Sequence, residues 1–321
     1  MAPPGGMAKR PVSFSKTMSR GSPARPAVSV LFALAALSWS AAAAASDTSS
    51  RPLPDARTFL EAVRDSLHSD QTLLSEYTFT ENHVETKLDS KGAPKSSKTE
   101  VYEVYPSSKP GRIYRRLVRV DGKPVDPREL AEEDRKHDEK MERRRIELEN
   151  ETPQQKQERL EKEQESQRRE REVIEELFRM DDIRIAGRET LDGRSAVLVT
   201  FRPKPGFRPQ TKGGKVLQKL AGRAWIDEEE KQLVRIDAEL LDALPVGPGG
   251  IFRLQKGARA YFQRRRVNDE IWLPAEARFL GAAKVFFFVL GRLDARSEYS
   301  DYHKFTVSTS AEIGGVEKTT N

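Results

Sequence analysis

Leu233-Val234-Arg235-Ile236-Asp237-Ala238-Glu239-Leu240 is the stretch on which the fold turns. Val234, Ile236, Ala238 and Leu240 alternate with Arg235, Asp237 and Glu239. Successive side chains of a strand point to opposite faces, so this stretch offers one side to a core and the other to water. Moving outward, similar short segments recur between turn signals. On the C-terminal side they are 258–267, 271–279 and 285 to about 305. On the N-terminal side they are 223–227 and a hairpin of 183–190 and 196–201 joined at Asp192-Gly193. Farther upstream, 77–88, 99–105 and 113–120 read as a meander with turns at Ser90-Lys91-Gly92 and Lys109-Pro110-Gly111. Asp121-Gly122 comes next as a two-residue hairpin signal of the kind that needs positive φ.

The count is about ten strands, and only one helix-long crossover interrupts them, so the sheet is expected to be mostly antiparallel. A first helix is expected over 55 to about 74. Pro54 precedes an Asp N-cap there, and Phe59, Leu60, Val63, Leu67 and Leu74 repeat at helical spacing. Its single apolar face should lie on the sheet. The fold class is therefore α+β, a curved antiparallel sheet with an N-terminal amphipathic helix and a long charged helical insertion.

That insertion occupies residues 126–180. From Arg128 to Arg179 there are 14 basic and 18 acidic residues and no glycine. Asp126-Pro127 and Thr152-Pro153 are both N-cap and first-turn pairs, so two helices joined near Asn150 are expected. Leu130, Met141, Ile146, Leu148 and Leu160 are too sparse for a coiled-coil seam, whereas Val173, Ile174, Leu177 and Phe178 suit docking of the last turn onto the body. Two uses are open: an arm that meets an envelope protein partner, or a solvated insertion held by intrahelical ion pairs.

The N-terminus reads as a secretory signal peptide over 1–45. Lys9, Arg10, Lys16, Arg20 and Arg25 precede an apolar run from Ala27 to Trp39, and alanines 41–45 offer an Ala-x-Ala exit before Ser46. Met18 is an alternative start that would leave a signal peptide of ordinary length. An uncleaved anchor is the competing reading, against which the run falls short of the roughly 20 residues a span needs. With no cysteine, lipid attachment through an N-terminal cysteine, disulfides and thiolate metal sites are excluded. The formal charge is +6, but five of the 56 Lys and Arg residues and none of the 50 Asp and Glu residues lie before Ser46. From Ser46 onward the chain is nearly neutral, which removes the electrostatic case for nucleic acid as a partner. The chain thus divides into 1–45, a first helix and strands over 46–125, the insertion 126–180, the remaining strands over 181–305, and a polar tail 306–321. A periplasmic location is expected.

No catalytic pattern emerges. His68, His83, His137 and His303 lie too far apart in sequence for a local metal-ligand motif. Gly193-Arg194-Ser195-Ala196-Val197 lacks the second glycine of a nucleophile elbow, and Lys212-Gly213-Gly214-Lys215 lacks the strand context of a phosphate loop. A carboxylate pair for glycoside hydrolysis is the remaining enzymatic alternative. Two apolar features stand out instead. Val285-Phe286-Phe287-Phe288-Val289-Leu290 reads as one strand apolar on both faces, and 215–220 as a short helix with Val216, Leu217 and Leu220 on one side, beside the Pro/Gly-rich loop 203–214. Val216, Leu220, Phe286 and Phe288 are the candidate lining of an apolar cavity for acyl chains, where each buried methylene contributes about 0.8 kcal/mol. The same residues are equally readable as plain core.

The order of elements, with three further stretches, carries a family resemblance. These are Gly222-Arg223-Ala224-Trp225-Ile226-Asp227 with 233–238, then Arg266-Val267-Asn268-Asp269-Glu270-Ile271-Trp272-Leu273-Pro274, and Tyr299-Ser300-Asp301-Tyr302-His303-Lys304-Phe305. The chain resembles the periplasmic lipoprotein-carrier superfamily of LolA, LolB and the sensor RseB, and more closely the bacterial envelope proteins labelled outer membrane lipoprotein-sorting proteins. The resemblance spans about 55–305 apart from the insertion. It implies an unclosed half-barrel with a concave apolar face that binds lipid or lipoprotein acyl chains, with no cofactor and no catalysis. The alternative is an envelope sensor or protein-interaction module acting through the charged arm.

Overall fold

A computed structural model of the chain describes residues 51–67, 77–106, 113–247, 251–285 and 288–304. In order, the elements are α1 (Ala56–Leu67), β1 (Tyr77–Leu88), β2 (Pro94–Pro106), β3 (Ile113–Val120), β4 (Lys123–Pro124), α2 (Pro127–Glu149), α3 (Pro153–Met180), β5 (Asp181–Leu191) and β6 (Arg194–Pro203). The rest of the chain forms α4 (Lys212–Leu217), β7 (Leu220–Asp227), β8 (Leu233–Leu240), β9 (Leu244–Val246), β10 (Phe252–Leu254), β11 (Arg259–Val267), β12 (Ile271–Val285) and β13 (Phe288–Lys304). The expected signal peptide, the polar tail, the continuation of the first helix to 74, the 109–111 turn and Phe286 lie outside the described residues.

The strands form one sheet in the order β4-β3-β2-β1-β13-β12-β11-β8-β7-β6-β5, with the short β9 and β10 attached beside β12. The pairings are antiparallel, and β4 and β5 stand at opposite edges, so the curved sheet is an unclosed half-barrel. Thirteen strands replace the expected ten or so because β4, β9 and β10, each of two or three residues, are too short for periodicity to detect. The Asp-Gly signals hold: Asp121 and Gly122 take φ of 48° and 77°, and Asp192 and Gly193 take 48° and 78°. Both central residues of such a turn need positive φ for its twist to match the strands.

Register defines two faces. Leu220, Gly222 and Ala224 of β7 pair with Leu240, Ala238 and Ile236 of β8, and Ala238 and Ile236 pair with Ala260 and Phe262 of β11. This inner face carries the core. Gly222 has no room for a side chain, since a Cβ there would lie 1.9 Å from the backbone oxygen of Asp237. The outer face needs no second layer, because arginines cover its aromatics. The Arg235 guanidinium lies 4.4 Å from the Trp225 ring centre and 4.9 Å from that of Tyr261, with Arg278 5.5 Å from Tyr261. These guanidinium groups cover the rings, which are buried, so the outer face exposes no apolar patch here.

Helix α1 begins where Asp55 Oδ1 accepts from the Thr58 backbone N–H at 2.9 Å. Phe59 and Val63, one turn apart, bury themselves on Val197, Val199, Ala224 and Ile226 of β6 and β7. The two arm helices start as the sequence predicts. Asp126 accepts from Arg128 N, and Thr152 forms a capping box with Gln155. α2 buries no residue at all. The arm is held instead by pairs one turn apart, such as Arg145 with Glu142 at 2.6 Å and Arg169 with Glu165 at 2.6 Å. Each such exposed pair contributes little, because solvent screens it. The base of α2 rests on the outer face of β3, where Arg116 makes a two-point contact with Asp134 at 2.8 and 2.9 Å and His137 stacks on Tyr114. The arm therefore leaves from one open edge of the half-barrel, after β4, and returns at the other, into β5.

Candidate functional site

The inner face is unevenly covered. Over β5–β8 it is roofed by three helical pieces that do not belong to the sheet: α1, the last turn of α3, and α4. Between roof and floor lies a cavity of about 130 Å³. Leu60, Val63 and Leu67 of α1, Leu177 and Phe178 of α3 and Leu217 of α4 form the roof; Val199, Leu220, Ala224, Ile226 and Ile236 are in the floor. Alternation on the strands and helical spacing on α1 together produce this wall, because each element turns its one apolar side inward.

One acidic residue lies against this apolar lining. Asp181 ends α3 and opens β5, and it faces inward in phase with Ile183 and Ile185. It is 3% exposed, and neither carboxylate oxygen has a hydrogen-bond partner. Burial pushes its pKa up to about 7, with the Lys204 charge pulling weakly the other way. Glu176, one turn earlier on α3 and equally buried, is the opposite case. Its carboxylate accepts from the Gln210 N–H at 2.5 Å, the Thr211 N–H at 3.1 Å and the Thr211 hydroxyl. Burial alone would raise this carboxyl, but those three donors outweigh it and hold Glu176 below the usual carboxylate range. The contact fastens α4 to α3, and Gly214 packs so closely that a Cβ there would stand 2.0 Å from Glu176 Oε2.

The structure separates the four candidate lining residues. Leu220 is 5% exposed and lines the cavity, but as the first residue of β7, paired with Leu240, rather than on a lid helix. The helix lies earlier, over Lys212–Leu217, because the strand ladder takes up Leu220. Val216, on α4, is half-buried against the cluster of Leu220, Leu240 and Leu244. The apolar run is not one strand: β12 ends at Val285 and β13 begins at Phe288, and these two residues pair. Phe288 therefore starts a strand, with its side chain outside the described residues, and Phe286 lies outside them altogether. The long alternating registers of β12 and β13 run on either side of the run and divide it between two strands. Sequence reasoning did not single out Asp181 or Glu176. The signal available for Asp181 was its phase, two and four residues before Ile183 and Ile185.

The other half of the inner face, over β12, β13, β1, β2 and β3, sets polar groups beside an apolar cluster of Phe79, Val104, Ala277 and Tyr299. Glu81 is 4% exposed, paired with Arg115 at 2.8 Å, and accepts from the Ser297 hydroxyl at 3.0 Å. His83 Nδ1 lies 2.9 Å from the same Ser297 oxygen. A hydroxyl has one proton, and here Glu81 takes it, so His83 donates to Ser297 instead of acting as its base. The trio fastens strands together and is not poised for nucleophilic attack. Among the described residues no group of three or more His, Asp or Glu side chains is placed to hold a metal ion. No helix among them is long and apolar enough to cross a membrane.

No protein-family model matches the chain, and no curated protein matches it. Solved structures do. A domain named for outer membrane lipoprotein sorting from Vibrio parahaemolyticus matches at 9% identity and a TM-score of 0.31, covering 80% of this chain and 96% of the other. A LolA superfamily protein from Nitrosomonas europaea matches at 8% identity and a TM-score of 0.29, covering 79% and 94%. The Pseudomonas aeruginosa MucA/MucB complex matches at 10% identity and a TM-score of 0.23, covering 79% and 100%. The chain is thus similar to lipoprotein-sorting and LolA superfamily structures.

Proposed function

We propose that this chain is a periplasmic binding protein, without catalysis, whose cavity under α1 receives the apolar chain of a lipid or of a lipidated protein. The observation that carries the reading is the construction of the cavity. Its floor is sheet, and its roof is three helical pieces, of which α1 meets the floor through one apolar stripe and a hydrogen bond from Gln232 to Ser66. About 130 Å³ is close to what one benzene ring fills, and below the 300–1,000 Å³ of ordinary ligand pockets. A long chain therefore enters only as α1 lifts or slides, which opens apolar floor already shaped to hold methylenes.

The test is native mass spectrometry with lipid extraction on the chain purified, without detergent, from the periplasm of a bacterium expressing it. A stoichiometric acyl-bearing species, lost in a folded Ala224→Leu variant that fills the cavity, supports the reading. A mass that stays bare after incubation with phospholipids and lipopeptides overturns it. A bare result would favour the second reading, an envelope protein partner bound by the arm, for which Ile146, Leu148 and Leu160 speak. They stand 45%, 40% and 43% exposed on an otherwise charged surface.

A further inference from the structure

We propose that Asp181 is the head-group contact of the cavity, selecting an aliphatic chain that ends in a primary ammonium over one that ends in a hydroxyl or a carboxylate. This rests on the cavity reading and adds the chemistry of the ligand to it. Buried carboxylates are almost always hydrogen-bonded, because an unpaired one forfeits its hydration with nothing in return. Asp181 has both oxygens unpaired and covered, beside a cavity whose surface is apolar.

Its backbone adds to the demand. Asp181 caps the C-terminus of the 28-residue α3, with its N–H bonded to the Leu177 carbonyl. The carbonyl end of a helix carries partial negative charge, which disfavours a carboxylate and favours a cation. The protein does not supply that cation. The Lys204 ammonium donates to the Arg179 carbonyl at 2.8 Å and acts on Asp181 only through space. Glu176, the neighbouring buried acid, is fully engaged with residues 210 and 211. The other charged residues around this point are directed elsewhere: Arg64 pairs with Asp65 and Glu175, and Asp182 and Arg184 pair with each other on the outer side of β5.

An alkylammonium matches this arrangement group by group. Its chain replaces apolar contacts with apolar contacts, and its three N–H donors suit the end of a helix and an acceptor-only carboxylate that turns into the cavity to meet them. A charge-assisted bond of this kind is about twice as strong as a neutral one, so an alcohol gains less. A carboxylate head brings like charge into a buried site.

The experiment is calorimetric titration of the full chain near pH 8 with hexylammonium, 1-hexanol and hexanoate, chosen because a six-carbon chain asks little movement of the roof. Wild type, Asp181→Asn and Asp182→Asn are compared. Asp182→Asn removes the same charge from the outer face. Hexylammonium is expected to bind about tenfold tighter than hexanol or more, with hexanoate weakest. That preference should vanish in Asp181→Asn and survive in Asp182→Asn, while hexanol binds all three alike. Equal binding of the three heads to wild type, or a preference that persists in Asp181→Asn, overturns the role of Asp181 and leaves the cavity reading standing. Failure of all three to bind overturns both.

Discussion

At the scale of single residues, Asp181 makes the stability of the protein depend on pH in an uncommon direction. A carboxyl whose native pKa is raised to about 7 keeps its proton in the fold at pH values where the unfolded chain, with an ordinary pKa near 3.9, has lost it. Between those values the native state binds more protons than the unfolded state, so stability falls as pH rises from about 4 to about 7 and then levels off. Asp181→Asn should remove this dependence. The variant is expected to match wild type near pH 4 and to exceed it by on the order of 4 kcal/mol near pH 8, as read from urea melts of both proteins across that range. Equal stability at pH 8 would mean that the carboxyl has found a partner. In the sequence, Asp181 was one of 50 acidic residues following an acidic helix. Its burial depends on α3 ending at Met180 and on strand phase from that point, and helix ends are the least legible part of a pattern.

At the scale of elements, the seat of α4 decides how the cavity is closed. α4 has six residues and cannot be stable alone, so the Glu176 contact to residues 210 and 211 holds it in place. Glu176→Gln keeps one acceptor oxygen but turns its NH2 group toward the donors at either 210 or 211. It should destabilise the protein by about 2–4 kcal/mol and speed amide exchange across α4 before it does so in β7. In wild type the same contact contributes fully above the ordinary carboxylate pKa and is lost as pH falls through the lowered native value, the reverse of Asp181. Exchange that rises equally in both elements would deny α4 any separate docking. Long elements were legible, since α1, α2, α3 and β8 follow from periodicity and caps. α4 was misplaced because Val216, Leu217 and Leu220 suit a helix by spacing, whereas Leu220 belongs to the β7–β8 ladder. The boundary between β12 and β13 was hidden because the apolar run contains no turn residue. The stretches behind the family resemblance are now explicable as joints: the Trp225 indole donates to Glu189 at 2.7 Å and the Trp272 indole to Glu230 at 2.6 Å, while Asp227 takes Arg194 at 2.7 Å.

At the scale of the molecule, a half-barrel with a buried face and an arm with almost none should not share one stability. Amides of α2 and of the outer turns of α3 are expected to exchange through local opening, unprotected relative to β7, β8 and β12, which should exchange only on global unfolding. Hydrogen exchange read by mass spectrometry distinguishes the two. Uniform protection would mean that a partner, or the arm itself, buries surface that α2 leaves exposed. The antiparallel plan and the arm were both open to sequence reasoning, because each has its own period. That the arm joins the two free edges was not, since edges are a property of the completed strand order.

That order has a consequence in time. β1 is flanked on one side by β2, which comes directly after it, and on the other by β13, so Glu81 and Ser297, 216 residues apart, sit side by side. The middle of the sheet therefore closes last, after nearly the whole chain has been delivered. Long-range pairing of this kind is slow to form. A chain that remains open until its final strand arrives can still be threaded through a narrow channel, which suits the export proposed for it.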